Sequence, residues 1–175
     1  MKNIICLQTD LRGRIAAVAV GALVFLHPAM ALEGKIIAVS DGDTITLLDR
    51  NHIHHKIRLQ GIDAPEKHQA FGSRSGQHLS KLAFGKEAVA ECRKRDRYGR
   101  EVCKVLIAGT DINLAQVQSG MAWWYREYAR EQSSEDRRAY EESEGNARHQ
   151  RLGLWADSAP VPPWEWRRAK RAGTN

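Results

Sequence analysis

The tightest constraint on the fold lies between Gly34 and Ile62, where three short apolar-polar alternations are separated by turn residues spaced too closely for helices. Lys35-Ile36-Ile37-Ala38-Val39 reads as a strand, Thr44-Ile45-Thr46-Leu47-Leu48 as a second, and Lys56-Ile57-Arg58-Leu59 as a third. Asp41-Gly42 and Asp49-Arg50-Asn51 supply the turns between them. In the third strand Ile57 and Leu59 share one face, while Arg58 and Gln60 share the other, because side chains two apart point the same way. Gly61 interrupts that alternation and lets the backbone bend, so Asp63 need not follow the parity of the strand. Pro65 then ends pairing, since it has no N–H to give a neighbour.

Glu87–Cys92 and Glu101–Ile107 return to the strand pattern on either side of a basic turn containing Arg95, Arg97 and Arg100. Ser73–Phe84 reads as a helix with Leu79, Leu82 and Ala83 as its apolar stripe and Gly85 as its stop. A second helix follows an Asp111 cap and ends at Gly120; a third begins at Ser133, with Asp136 completing a capping-box pattern, and runs to about Gln150. Five strands and three helices predict a small closed antiparallel barrel with helices packed on it, over residues 32–156. From residue 157 the composition shifts to Pro160, Pro162 and Pro163, then Trp164 and Trp166 amid basic residues, which predicts an extended or mobile tail over 157–175.

Residues 1–31 read as a secretion signal: Lys2, Arg12 and Arg14 precede an apolar stretch from Ile15 to Leu26, and Ala29-Met30-Ala31 gives a small-x-small cleavage pattern. Export to the periplasm or the extracellular medium is expected, with no stable membrane association after cleavage and a monomeric product. Removing this segment lowers the formal charge from +6 to +4, a weak preference for polyanions, so charge placement says more than the total. Cys92 and Cys103 flank the basic turn almost symmetrically. If the flanking segments form a hairpin they can meet as a disulfide; a register differing by one residue would leave two reduced core cysteines.

Read for chemistry, Asp41 and Asp43 sit in one turn and Asp63 in another. Each can simply satisfy backbone amides. Carboxylates at the rim of a short barrel also suit a hard cation such as calcium, with Asp41 binding a water behind the ion or orienting Asp43. Arg58 and Arg100 have a plain reading as surface ion-pair partners. Their functional reading is that planar guanidinium groups grip the nonbridging oxygens of a phosphodiester as charge builds there. Glu66 is an ordinary solvated residue, or a carboxylate held in the stiff loop around Pro65 and able to take a proton from attacking water. Trp123, Trp124, Tyr125 and Tyr128 fill the core or, for one or two of them, stack on bases beside Arg126.

The runs Asp41-Gly42-Asp43-Thr44, Arg58 to Glu66, Asp96-Arg97-Tyr98-Gly99-Arg100 and Leu152-Gly153-Leu154-Trp155, in this order, resemble the thermonuclease (staphylococcal nuclease) family from about Gly34 to Trp155. The resemblance implies a five-stranded OB-fold barrel with three helices and calcium-dependent endonucleolytic cleavage of DNA and RNA that leaves 3′-phosphate ends. By position it implies calcium ligands at Asp43, Asp63 and the Ala64 carbonyl, catalytic Arg58, Arg100 and Glu66, and a substrate-lining Tyr98. Trp124, Tyr125, Arg126 and Tyr128 are bulkier than in the type member and are expected to touch substrate. The competing reading is an OB module that binds nucleic acid without cleaving it.

Overall fold

The computed structural model describes residues 30–173. The expected secretion signal therefore lies outside the described residues, apart from Met30 and Ala31, which open the first strand. Strands β1 (Met30–Val39), β2 (Thr44–Asp49) and β3 (His54–Leu59) form an antiparallel meander. After the two-residue β4 (Ile62–Asp63) and helix α1 (Gly72–Ala83), β5 (Glu87–Arg95) and β6 (Glu101–Ile107) form a hairpin across the basic turn. The short β7 (Thr110–Asp111) leads into α2 (Ile112–Gln118), and β8 (Trp123–Trp124) precedes α3 (Ser134–His149) and α4 (Pro163–Ala172).

β1 joins the two halves: its C-terminal part pairs with β2 and its N-terminal part with β5, with a register shift between Ile36 and Ala38. Such a bulge bends the strand. The barrel closes where β3 meets β6 in parallel, Ile57 against Glu101 and Leu59 against Cys103. The expectation of a wholly antiparallel barrel is corrected here for a geometric reason. Five strands in a ring cannot alternate direction all the way round, so one seam must be parallel. The result is an OB-like five-stranded closed barrel.

Inward-facing Ile36, Ile45, Leu47, Ile57, Leu59 and Val105 fill the barrel and are fully or almost fully buried. Each such side chain contributes about 1.5–3 kcal/mol relative to exposure. Leu79 and Ala83 of α1 and Ile112 and Val117 of α2 extend this core. The predicted caps form: Asp111 accepts hydrogen bonds from the N–H groups of Asn113 and Leu114, and Ser133 Oγ accepts from Asp136 N. Cys92 stands directly opposite Cys103 in the β5–β6 register, and the two form a disulfide. Among the described residues no helix is long and apolar enough to cross a membrane.

Three helices were expected, and the described residues hold four α-helices together with 3₁₀ segments at Arg126–Glu131 and Gly153–Ala156. The additional one is α4, where an extended tail was predicted. Pro162 is its N-cap and Pro163 its first residue, the helical position that best tolerates a missing N–H. Trp164 packs edge-on against Trp123 at 5.6 Å and stacks on Tyr125 at 5.4 Å between ring centres, and this burial holds the helix on the domain.

Candidate active site

The site begins at the turn between β1 and β2. A Cβ on Gly42 would lie 1.9 Å from Ser75 Oγ, so only glycine lets this turn press against α1. That contact fixes the neighbouring acids. Asp43 is buried; one carboxylate oxygen accepts from Ala64 N at 2.8 Å and the other from Thr44 Oγ1 at 3.0 Å. Asp41 accepts from the backbone N–H of Asp43 at 3.1 Å.

The β2–β3 register pairs Thr44 with Arg58 and so sets the Arg58 guanidinium beside Asp43, with which it forms an ion pair. Its second terminal nitrogen donates to Asp63 Oδ1 at 2.8 Å. Asp63 reaches this point because the chain turns at Gly61 (φ 76°), a left-handed conformation open to glycine at no steric cost. β4 then pairs with β8, Asp63 against Trp123, which keeps the acid at the barrel rim with 1% of its side chain exposed.

Burial and charge oppose each other here. Burial acts to raise the Asp43 pKa, but the Arg58 charge and hydrogen bonds outweigh it and hold the carboxyl below its ordinary value. Asp63 is held above its ordinary value by burial, with Arg167 and Arg58 pulling the other way. Asp41 is pushed up to about 6 by burial and by the neighbouring Asp43 charge. Burial would depress the Arg58 guanidinium, yet Asp43 and Asp63 raise it further, so this side chain is a fixed cation.

Arg100 lies on the wall formed by the β5–β6 turn. It donates from Nε to Asp96 at 2.7 Å and from Nη1 to Thr44 Oγ1 at 3.3 Å, so its ion pair with Asp96 coexists with a place on the groove wall. Tyr98, at the tip of that turn, is 69% exposed and lies against the guanidinium groups of Arg97 and Arg100. These residues line a groove of about 940 Å³ together with Asp41, Asp43, Arg58, Asp63, Ala64, Glu66, Tyr125 and Tyr128.

Two expected substrate contacts do not reach the groove lining. Trp124 is 6% exposed and spends its indole N–H on Gln132 Oε1, because the β4–β8 pairing turns it into the core. Arg126 lies over the Trp124 ring and pairs with the buried Glu144 at 2.8 Å, a structural contact. The largest omission is Arg167 of α4. It donates to Asp63 Oδ2 at 2.8 Å, to Asp63 Oδ1 at 3.2 Å and to Glu66 Oε1 at 2.8 Å. The sequence carried a signal for it: Trp164, Arg167 and Arg171 follow Pro163 at helical spacing and fall on one face.

Among the described residues no three His, Cys, Asp or Glu side chains form a group able to hold a metal by themselves. The donor chemistry nevertheless fits a hard cation: Asp43 and Asp63 are brought together on one guanidinium, and the set offers only oxygen. Carbonyl and water oxygens would have to complete the coordination.

The model of the family described as "Staphylococcal nuclease homologue" matches residues 56–157. The chain is 43% identical over 171 residues to "Micrococcal nuclease" of Shigella flexneri, covering 91% of this chain and 95% of the relative. It is 39% identical over 137 residues to an "Uncharacterized endonuclease" of Haemophilus influenzae, covering 78% and 74% respectively. The similarity extends to "Staphylococcal-like nuclease CAN1" of Arabidopsis thaliana, 39% identical over 119 residues, which span 67% of this chain and 35% of that protein.

Proposed function

Because the chain belongs to the staphylococcal nuclease family, we propose that its groove hydrolyses phosphodiester bonds in DNA and RNA with little sequence preference, depends on calcium and leaves 3′-phosphate ends. The observation that carries this reading is the Arg58 guanidinium, fixed between two rim carboxylates in a groove whose facing wall holds Arg100. In this reading Asp43, Asp63 and the Ala64 carbonyl hold calcium. When bound, the ion supplies positive charge against the phosphate.

The protein's own groups do the rest. Arg58 and Arg100 donate to the nonbridging oxygens, where charge develops during attack; a single such donor is typically worth about 2.7–4 kcal/mol of barrier. Both are already oriented by hydrogen bonds, so little reorganisation is needed at the moment of reaction. Glu66 orients the attacking water or takes its proton; its side chain is 42% exposed and reaches solvent in the groove. Tyr98, Tyr125 and Tyr128 offer aromatic faces to bases of a single strand, a sequence-tolerant contact. The leader-like residues 1–31 support export, and the product acts as a monomer.

The test is cleavage of a circular single-stranded DNA and of an RNA, with calcium and then with a chelator, followed by end-group analysis. Endonucleolytic cuts with 3′-phosphate ends that stop on chelation are expected. Intact substrate in calcium leaves the noncatalytic binding module as the reading, and cleavage that survives chelation removes the metal role of Asp43 and Asp63.

A further inference from the structure

We infer that the C-terminal helix α4 is a working wall of the groove, and that Arg167 is a positioning residue that sets the Glu66 carboxylate and balances Asp63; this rests on the nuclease reading above. Three contacts of different kinds seat the helix at the site. Gln69 donates its amide to Val161 O at 2.6 Å and accepts from the backbone N–H of Glu66 at 3.1 Å, so one side chain joins the segment before α4 to the loop that carries Glu66. Trp164 packs on Trp123 and Tyr125, and Trp123 pairs with Asp63 across β4 and β8. Arg167, one turn after Trp164, then spans Asp63 and Glu66 with three hydrogen bonds.

The chemistry of Glu66 makes this contact consequential. Its carboxylate is substantially exposed, and a glutamate side chain loses much rotamer freedom when fixed. Arg167 takes Oε1 and leaves Oε2 for a water in the groove. The planar fork of a guanidinium suits two carboxylates at once, which a lysine ammonium, acting as a point charge, does less well. Arg171, one further turn along, also lines the groove and adds a cation where a nucleic-acid backbone would run.

The experiment uses the full chain and single-stranded DNA at saturating calcium. Arg167→Met is expected to lower kcat about ten- to hundredfold, the scale on which a misplaced reacting group slows catalysis, with KM changed less than about threefold. Arg167→Lys should recover part of that loss, and Arg168→Met, on an exposed position of the same helix, should match wild type. Trp164→Ala tests the seat: with Arg167 still present, kcat should fall as in Arg167→Met. Tryptophan emission reports whether α4 remains docked, and calorimetric titration with calcium alone should give Arg167→Met an affinity within about threefold of wild type.

A docked Arg167→Met with wild-type kcat overturns the inference. So does a variant that cleaves faster and binds calcium about tenfold tighter, which would make Arg167 a tethered competitor of the cation. A wild-type chain that cleaves nothing removes the nuclease reading itself, whereas loss confined to the variants leaves that reading standing.

Discussion

Asp63 is held by two arginines that arrive by different routes. Arg58 comes from the barrel: its place follows from strand register, its side chain is 16% exposed, and it also pairs with the buried Asp43. Arg167 comes from a helix over a hundred residues later, seated by Trp164 and the Gln69–Val161 hydrogen bond, and its side chain is 35% exposed with Glu66 as its second partner. The same ion-pair chemistry therefore carries different energetic weight. Removing Arg58 strands charge inside the barrel rim. Removing Arg167 leaves Asp63 still paired with Arg58 and frees a Glu66 that water already reaches, so the barrel arginine serves both fold and site and the helical one the site alone.

The sharpest way to break that contrast is urea denaturation of Arg58→Met and Arg167→Met. Arg58→Met is expected to cost about 3–5 kcal/mol, as when one partner of a buried pair is lost. Arg167→Met is expected to cost about 1 kcal/mol, since Arg58 still pairs Asp63 and the Glu66 pair is solvent-screened. Equal losses would mean that α4 is as integral as the sheet. Next in size is the Cys92–Cys103 bridge, which braces the hairpin carrying Arg100. Replacing both cysteines by alanine should cost about 3 kcal/mol, the loop entropy of a short closed segment, while leaving kcat near wild type; a large fall in kcat would show that the wall itself had moved.

The smallest effect is electrostatic. The folded-state pKa of Asp41 is near 6 against an ordinary 3.8, so between those values the folded chain keeps a proton that the unfolded chain has lost. Stability contributed by this group therefore falls as pH rises from about 4 to about 6 and stays lower above that window. Asp41→Asn can still accept from Asp43 N and should be more stable than wild type by about 1 kcal/mol at pH 7, after solvent screening of the full shift, with the difference vanishing near pH 3. Parallel stability curves across that range would contradict the assignment.

The barrel half of this comparison was legible in the sequence because its information is local. Alternation over Ile36, Ile45, Leu47, Ile57 and Leu59 marks inward faces, glycines mark turns, and Asp111 and Ser133 mark caps. The motif residues Asp43, Arg58 and Asp63 meet because those strands pair. What stayed hidden depends on contacts distant in the chain. The parallel β3–β6 seam joins segments some forty residues apart, and the alternation of either strand does not name its partner. The prolines before Trp164 point to an extended or mobile tail, although Pro163 opens a helix whose stability comes from a tryptophan cluster the local pattern does not show. Trp124 misled in the opposite sense, since its aromatic neighbourhood fits base stacking until the β8 pairing buries it.

Whether the guanidinium fork at the barrel rim stabilises charge on the scissile phosphate is decided by single-turnover cleavage of a short single-stranded DNA by Arg58→Lys beside wild type, both saturated with calcium. Lysine keeps the charge that Asp43 and Asp63 require and loses the fork, so the expected result is a folded protein whose chemical step is about a hundred- to thousandfold slower. A rate within about threefold of wild type would contradict it.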